Sequence, residues 1–89
     1  MPHYRALPPT DFAPPLRLDQ FLLVYHRASG QTHMLAEPAP EILAVLDQGG
    51  EGDATIIAAR LADQFDGVDE AVVAARLEEL AALGLIDET

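Results

Sequence analysis

Residues 20–35 read QFLLVYHRASGQTHML: two short runs, Gln20 to His26 and Gln31 to Leu35, rich in apolar, aromatic and β-branched residues and separated by Arg27-Ala28-Ser29-Gly30. Runs of this length joined by a short turn predict a β-hairpin. Gly30 is placed to supply the left-handed residue that closes a four- or five-residue hairpin loop. Upstream, Leu16 to Leu18 can add a short third strand. Within Gln20 to His26, strand alternation puts Phe21, Leu23 and Tyr25 on one face and Leu22, Val24 and His26 on the other. In the second strand Thr32 and Met34 share one face, His33 and Leu35 the other.

Downstream of the hairpin the apolar period changes from two to about 3.6, which predicts helices. Pro38 and Pro40 fit a first helical turn, and Ile42, Leu43, Val45 and Leu46 follow as an apolar face, giving a helix from Pro38 to Gln48 ended by Gly49-Gly50. Asp53 is the expected N-cap of a second helix of about 13 residues bearing Ile56, Ile57, Leu61 and Phe65, ended by Asp66-Gly67. Val68-Asp69 opens a third helix, where Val73, Leu77 and Leu80 fall at i, i+4 and i+7. Gly84 stops it, and Leu85 and Ile86 are expected to fold back onto the core.

Upstream of the hairpin the composition changes. All seven prolines lie in the first 40 residues, and the pairs Pro8-Pro9 and Pro14-Pro15 predict that residues 1–15 form an extended arm without helix or paired strand. The expected organisation is a Pro-rich arm over 1–15 and a single domain over 16–89. Its class is α+β and winged-helix-like: a small antiparallel hairpin or three-stranded sheet followed by three helices.

The chain has 89 residues, so folding would bury roughly 60 to 65% of the extended surface, enough for one small core. At 49% hydrophobic and 22% charged it is too apolar for an acidic disordered tail. No apolar run approaches the ~20 residues of a membrane span, and no continuous apolar segment follows Pro2-His3-Tyr4-Arg5, so a cytoplasmic location is expected. The absence of cysteine removes disulfides, thiol nucleophiles and thiolate metal sites.

Fifteen acids stand against five arginines and no lysine, a net charge of −10. Residues 1–36 carry Arg5, Arg17 and Arg27 against Asp11 and Asp19, leaving −11 on residues 37–89. Electrostatic attraction to phosphates supplies nearly all non-specific nucleic-acid binding, so DNA, RNA and anionic membranes are excluded as expected partners. The second and third helices, joined at Asp66-Gly67, have helix-turn-helix order. A groove-reading third helix needs basic and amide side chains, whereas this one shows Asp69, Glu70, Glu78 and Glu79 with Arg76 alone positive.

Catalytic constellations are equally sparse. His26 and His33 flank the hairpin turn, but zinc needs three or four ligands and no carboxylate has ligand spacing to them. Ser29 is the single serine and has no evident base in the sequence. There is no Gly-rich phosphate loop, and no serine opens a helix as an acyl carrier protein requires. The expectation is no enzyme, no cofactor and no metal.

The segment 19–46, DQFLLVYHRASGQTHMLAEPAPEILAVL, resembles PqqD-like proteins in its strand, Ser-Gly turn, Thr-His strand and Ala-Glu-Ile-Leu helix start. The resemblance continues to Leu83-Gly84-Leu85-Ile86, and is nearest to the short stand-alone forms encoded beside proteins related to HPr kinase. It departs at Ala36, where the family often has a capping Asn or Asp, and residues 6–15 have no counterpart. It implies a peptide chaperone, or recognition element for ribosomally made and modified peptides. A precursor or leader segment adds as a strand to the sheet edge, lies against the third helix, and is presented to a modifying enzyme.

The residues support such a site on their own. Gln31-Thr32-His33-Met34-Leu35 carries no proline and no formal charge to protect a strand edge. The other occupants of that edge are Leu16 to Leu18 or a second copy. On the third helix Val72, Arg76, Glu79 and Leu83 form one flank of the core face. Arg76 serves either as an i,i+3 partner of its acidic neighbours or as a hook for a peptide carboxylate. The alternative reading is an acidic protein-protein interaction or dimerisation module. It draws on the sheet being apolar on both faces while three helices can cover one. The second face would be covered by the arm, through Tyr4, Leu7 and Phe12, or by a second copy in a homodimer.

Overall fold

The computed structural model describes residues 2–49 and 51–89, and Gly50 of the expected Gly49-Gly50 stop lies outside them. The hairpin is present: Phe21–His26 (β3) pairs antiparallel with Gln31–Leu35 (β4), in a register that sets His26 opposite Gln31 and Leu22 opposite Leu35. Gly30 is left-handed at φ 69° and donates its N–H to the His26 carbonyl at 2.9 Å. Leu16–Leu18 (β2) pairs with β3 on the other side. Asp19, at φ 53°, turns the chain between them, a conformation that a short polar side chain tolerates. The sheet order is β2-β3-β4, so β4 is an edge and Leu16 to Leu18 does not cover it.

Three helices follow, Ala39–Asp47 (α1), Ala54–Gln64 (α2) and Glu70–Ala82 (α3). The Asp53 side chain caps α2 by accepting from Ile56 N–H, and Asp69 caps α3 by accepting from Ala71 N–H, each at 2.9 Å. Val73, Leu77 and Leu80 of α3 are buried with Ile42, Val45 and Leu46 of α1 and Ile57, Ala58 and Leu61 of α2. Two residues expected on the α2 core face are instead exposed, Ile56 at 45% and Phe65 at 44%. The stripe of α2 centres on Ile57 and Leu61, which turns Ile56 outward by one helical position, and Phe65 stands beyond the last turn in extended backbone.

The arm differs from expectation. Tyr4–Ala6 (β1) is a paired strand, joined antiparallel to a C-terminal strand, Ile86–Glu88 (β5), and Tyr4 is 2% exposed within the core. The ordered fold therefore begins well before Leu16. Tyr4-Arg5-Ala6-Leu7 contains no proline, and the chain beyond Gly84 supplies the partner strand that a local reading of the arm does not contain. On its other side β1 is bridged to Gly52, with Tyr4 N–H to Gly52 O at 2.8 Å and Gly52 N–H to Tyr4 O at 3.0 Å. The prolines act only after β1: Pro9–Asp11 forms a 3-10 turn, and Phe12 bridges to His26 at the rim of the sheet. Leu85 and Ile86 are buried, as expected.

The molecule is thus α+β, a three-stranded antiparallel sheet followed by three helices, with a two-stranded ribbon joining its ends. None of the helices is long and apolar enough to cross a membrane among the described residues.

Candidate functional site

The exposed edge of β4 can be resolved to individual residues. Ala13 N–H bonds Tyr25 O at 3.1 Å and Arg27 N–H bonds Asp11 O at 2.8 Å, both on the side of β3 away from β4. Backbone groups of an antiparallel strand alternate sides, so Leu22, Val24 and His26 point theirs at β4. Their partners Leu35, His33 and Gln31 are engaged inward. Thr32 and Met34 accordingly turn their N–H and C=O groups to the open side. Both side chains are exposed, Met34 at 64%.

Two residues beyond Leu35 the chain enters a cleft of about 410 Å³ between the start of α1, the end of α2 and the start of α3. Glu37, Pro38 and Glu41 line one wall, Leu61 and Phe65 a second, and Val68, Val72 and Val73 the third, with Asp66 and Asp69 at the rim. Its apolar lining comes from Pro38, Leu61, Phe65 and three valines, and its charged groups are all acidic. Glu41 Oε1 is buried without a hydrogen-bond partner, and so is Nε2 of His33 on β4. An unpaired buried polar atom costs about 1–3 kcal/mol.

Of the residues singled out on α3, Val72 stands in the cleft wall, 42% exposed. Arg76 and Glu79 are not among the lining residues and are bonded to each other as an i,i+3 ion pair. α3 packs chiefly on α2, α1 and β5, so the edge of β4 and the Arg76-Glu79 stretch do not form two walls of one groove. Of the predicted residues only Val72 lines the cleft; Gln31 to Leu35 stop short of it, the chain reaching it at Glu37, and Arg76 and Glu79 lie farther along the helix. Phe65, Glu37 and Glu41 were missed by sequence reasoning. Phe65 fits the helical period and reads as a core position, but the helix ends at Gln64 and leaves it in extended backbone; the two glutamates sit in a proline-flanked helix start where their sides are not set by periodicity.

His26 and His33 share the face of the sheet that looks to the helices. His26 Nδ1 lies 3.2 Å from Ser29 Oγ, so a base does stand beside the serine; the same Oγ accepts from Gln31 N–H at 3.3 Å. This closes the hairpin loop around an exposed hydroxyl. The His26 ring also packs against Phe12, centroids 5.4 Å apart. Among the described residues no three His, Asp or Glu side chains converge as a metal-ligand set. Compared with family models, curated proteins and solved structures, the chain matches none.

Proposed function

We propose that the protein is a non-catalytic peptide-binding accessory protein that takes up an extended precursor or leader peptide by strand addition at β4 and presents it to a modifying enzyme. One observation carries the reading: β4 is an edge strand without proline or formal charge, whose Thr32 and Met34 backbone groups face outward unpaired. A peptide paired there gains main-chain hydrogen bonds along the strand. Beyond Leu35 such a peptide would meet the cleft, whose Val72 and Phe65 receive apolar side chains. Arg76 takes part only if a peptide carboxylate displaces Glu79 from it. The PqqD-like pattern of residues 19–46 supports the same reading.

The test starts with a pull-down from the native cytoplasm and mapping of the bound peptide. Thr32→Pro and Met34→Pro each delete one outward N–H and leave the β3 ladder intact, so each is expected to weaken that peptide by about 1 kcal/mol or more, roughly fivefold or above. Val72→Ala is expected to weaken it less. Unchanged affinity in both proline variants with the fold retained would overturn the site. The second reading, an interaction or dimerisation module, is favoured by a separate observation, the bare apolar face of the sheet.

A further inference from the structure

Leu16 and Leu18 of β2, Phe21, Leu23 and Tyr25 of β3, and Met34 of β4 lie on one face of the sheet, because register sets Leu16 opposite Leu23, Leu18 opposite Phe21 and Leu23 opposite Met34. Leu16 is 57% exposed, Leu18 49%, Met34 64% and Tyr25 41%. The opposite face, through Leu22, Val24 and Leu35, is the one packed on the helical core. The outer face therefore has no cover from the helices. Two of the three arm residues expected as a cover, Tyr4, Leu7 and Phe12, lie elsewhere: Tyr4 is in the core, and Phe12 packs on His26, which is on the inner face.

We infer that a second copy of the chain covers this face, sheet against sheet, in a two-fold dimer. Charge selects the occupant and the orientation. The strands and turns of residues 16–35 carry Arg17 and Arg27 against Asp19, while residues 37–89 carry −11. Stacking two sheets is the arrangement that keeps the acidic helical halves at opposite ends. An apolar face is also complementary to itself, as a two-fold interface requires. Strands of three, six and five residues make a footprint of at most roughly 14 by 20 Å. Two such faces packed ~10 Å apart form a sandwich whose buried area is at the low end for specific association. The dimer is accordingly weak and reversible. Pairing of β4 with β4 of a second copy would leave the exposed Leu16, Leu18 and Tyr25 uncovered, so it is not the mode. Face stacking leaves both β4 edges open, and the inference holds whether or not β4 takes a peptide.

Sedimentation velocity of the full chain from ~1 to ~300 μM tests it, with a monomer-dimer transition expected in the range of roughly 10–100 μM. Leu18→Glu and Met34→Glu place charge on the face without touching the core. Each is expected to keep the far-ultraviolet circular dichroism of the wild type and to raise the dissociation constant at least tenfold. A wild-type monomer at ~300 μM, or a dimer indifferent to both glutamates, would each overturn the inference. Flotation of a monomeric wild type with neutral phosphatidylcholine vesicles would overturn it in favour of a lipid surface.

Discussion

Tyr4 and Gly52 show how much of this fold rests on single residues. Their reciprocal backbone bonds at 2.8 and 3.0 Å leave no room for a side chain on the glycine: a Cβ there would lie 2.9 Å from Ile56 Cγ2 and 3.0 Å from Ile56 Cβ. Gly52→Ala is therefore expected to destabilise by about 1–3 kcal/mol, measured by urea unfolding. Adding Ile56→Ala removes the Cγ2 and Cδ1 contacts but keeps the Cβ, so it should restore part of the loss; a double variant no more stable than Gly52→Ala would refute the clash. Tyr4 has a second consequence. Burial raises its phenol pKa above 10.0, reinforced by Glu88 directly opposite on β5 and by the charge of Glu78. Folding thus favours the protonated form. The associated stability is complete below pH 10 and is lost as pH rises from there through the folded-state pKa. Urea midpoints taken from pH 8 upward should fall more steeply for the wild type than for Tyr4→Phe above pH 10. Parallel curves would show that the ring ionises without cost.

Among the elements, those whose signal is local were legible and those made by distant partners were not. The hairpin declared itself through Phe21 to Leu35 and Gly30, and α2 and α3 through Asp53, Asp69 and their stripes, because each forms from neighbours in sequence. The β1-β5 ribbon joins Tyr4–Ala6 to Ile86–Glu88 across almost the whole chain, and a three-residue strand carries no period by which to find it. The candidate site divides in the same way. The undefended edge of β4 could be read from its composition, whereas the cleft needs Phe65, Glu41 and Val72 from three elements at once. The ribbon also decides what truncation does. Removing residues 1–14 deletes Tyr4 from the core and both bridges of the arm, to Gly52 and to His26. Loss of one large buried aromatic costs about 3–5 kcal/mol, a large share of the 5–15 kcal/mol that holds a small domain. The shortened chain is expected to lose cooperative thermal unfolding. A sharp transition within a few degrees of the wild type would show β1 to be dispensable.

At the scale of the whole molecule charge is the governing quantity. The helical half bears −11, its two cations are Arg60 and Arg76, and Arg76 is already bonded to Glu79. The helix-turn-helix order of α2 and α3 therefore meets DNA with the wrong sign, and anisotropy titration at ~50 mM salt should show no binding below ~10 μM. The same field acts on the fold. Cross-strand Arg5 and Asp87, 3.6 Å apart, are both about half exposed, and such pairs contribute between zero and about 1 kcal/mol. Repulsion among the uncompensated carboxylates is the larger opposing effect, since at ~10 mM ionic strength charges interact over ~30 Å, nearly the span of the molecule. Salt should consequently stabilise the protein. At ~5 μM chain, where the proposed dimer is dissociated, raising NaCl from ~10 to ~500 mM screens repulsion and is expected to lift Tm by a few degrees, on the order of 1 kcal/mol for a domain of this size. Charge and solvent-structuring effects of salt separate in a second titration: sodium sulfate matched in ionic strength should give the same rise at the low end. A Tm that falls with NaCl would mean that ion pairs, and not apolar packing against a net repulsive field, hold the chain together.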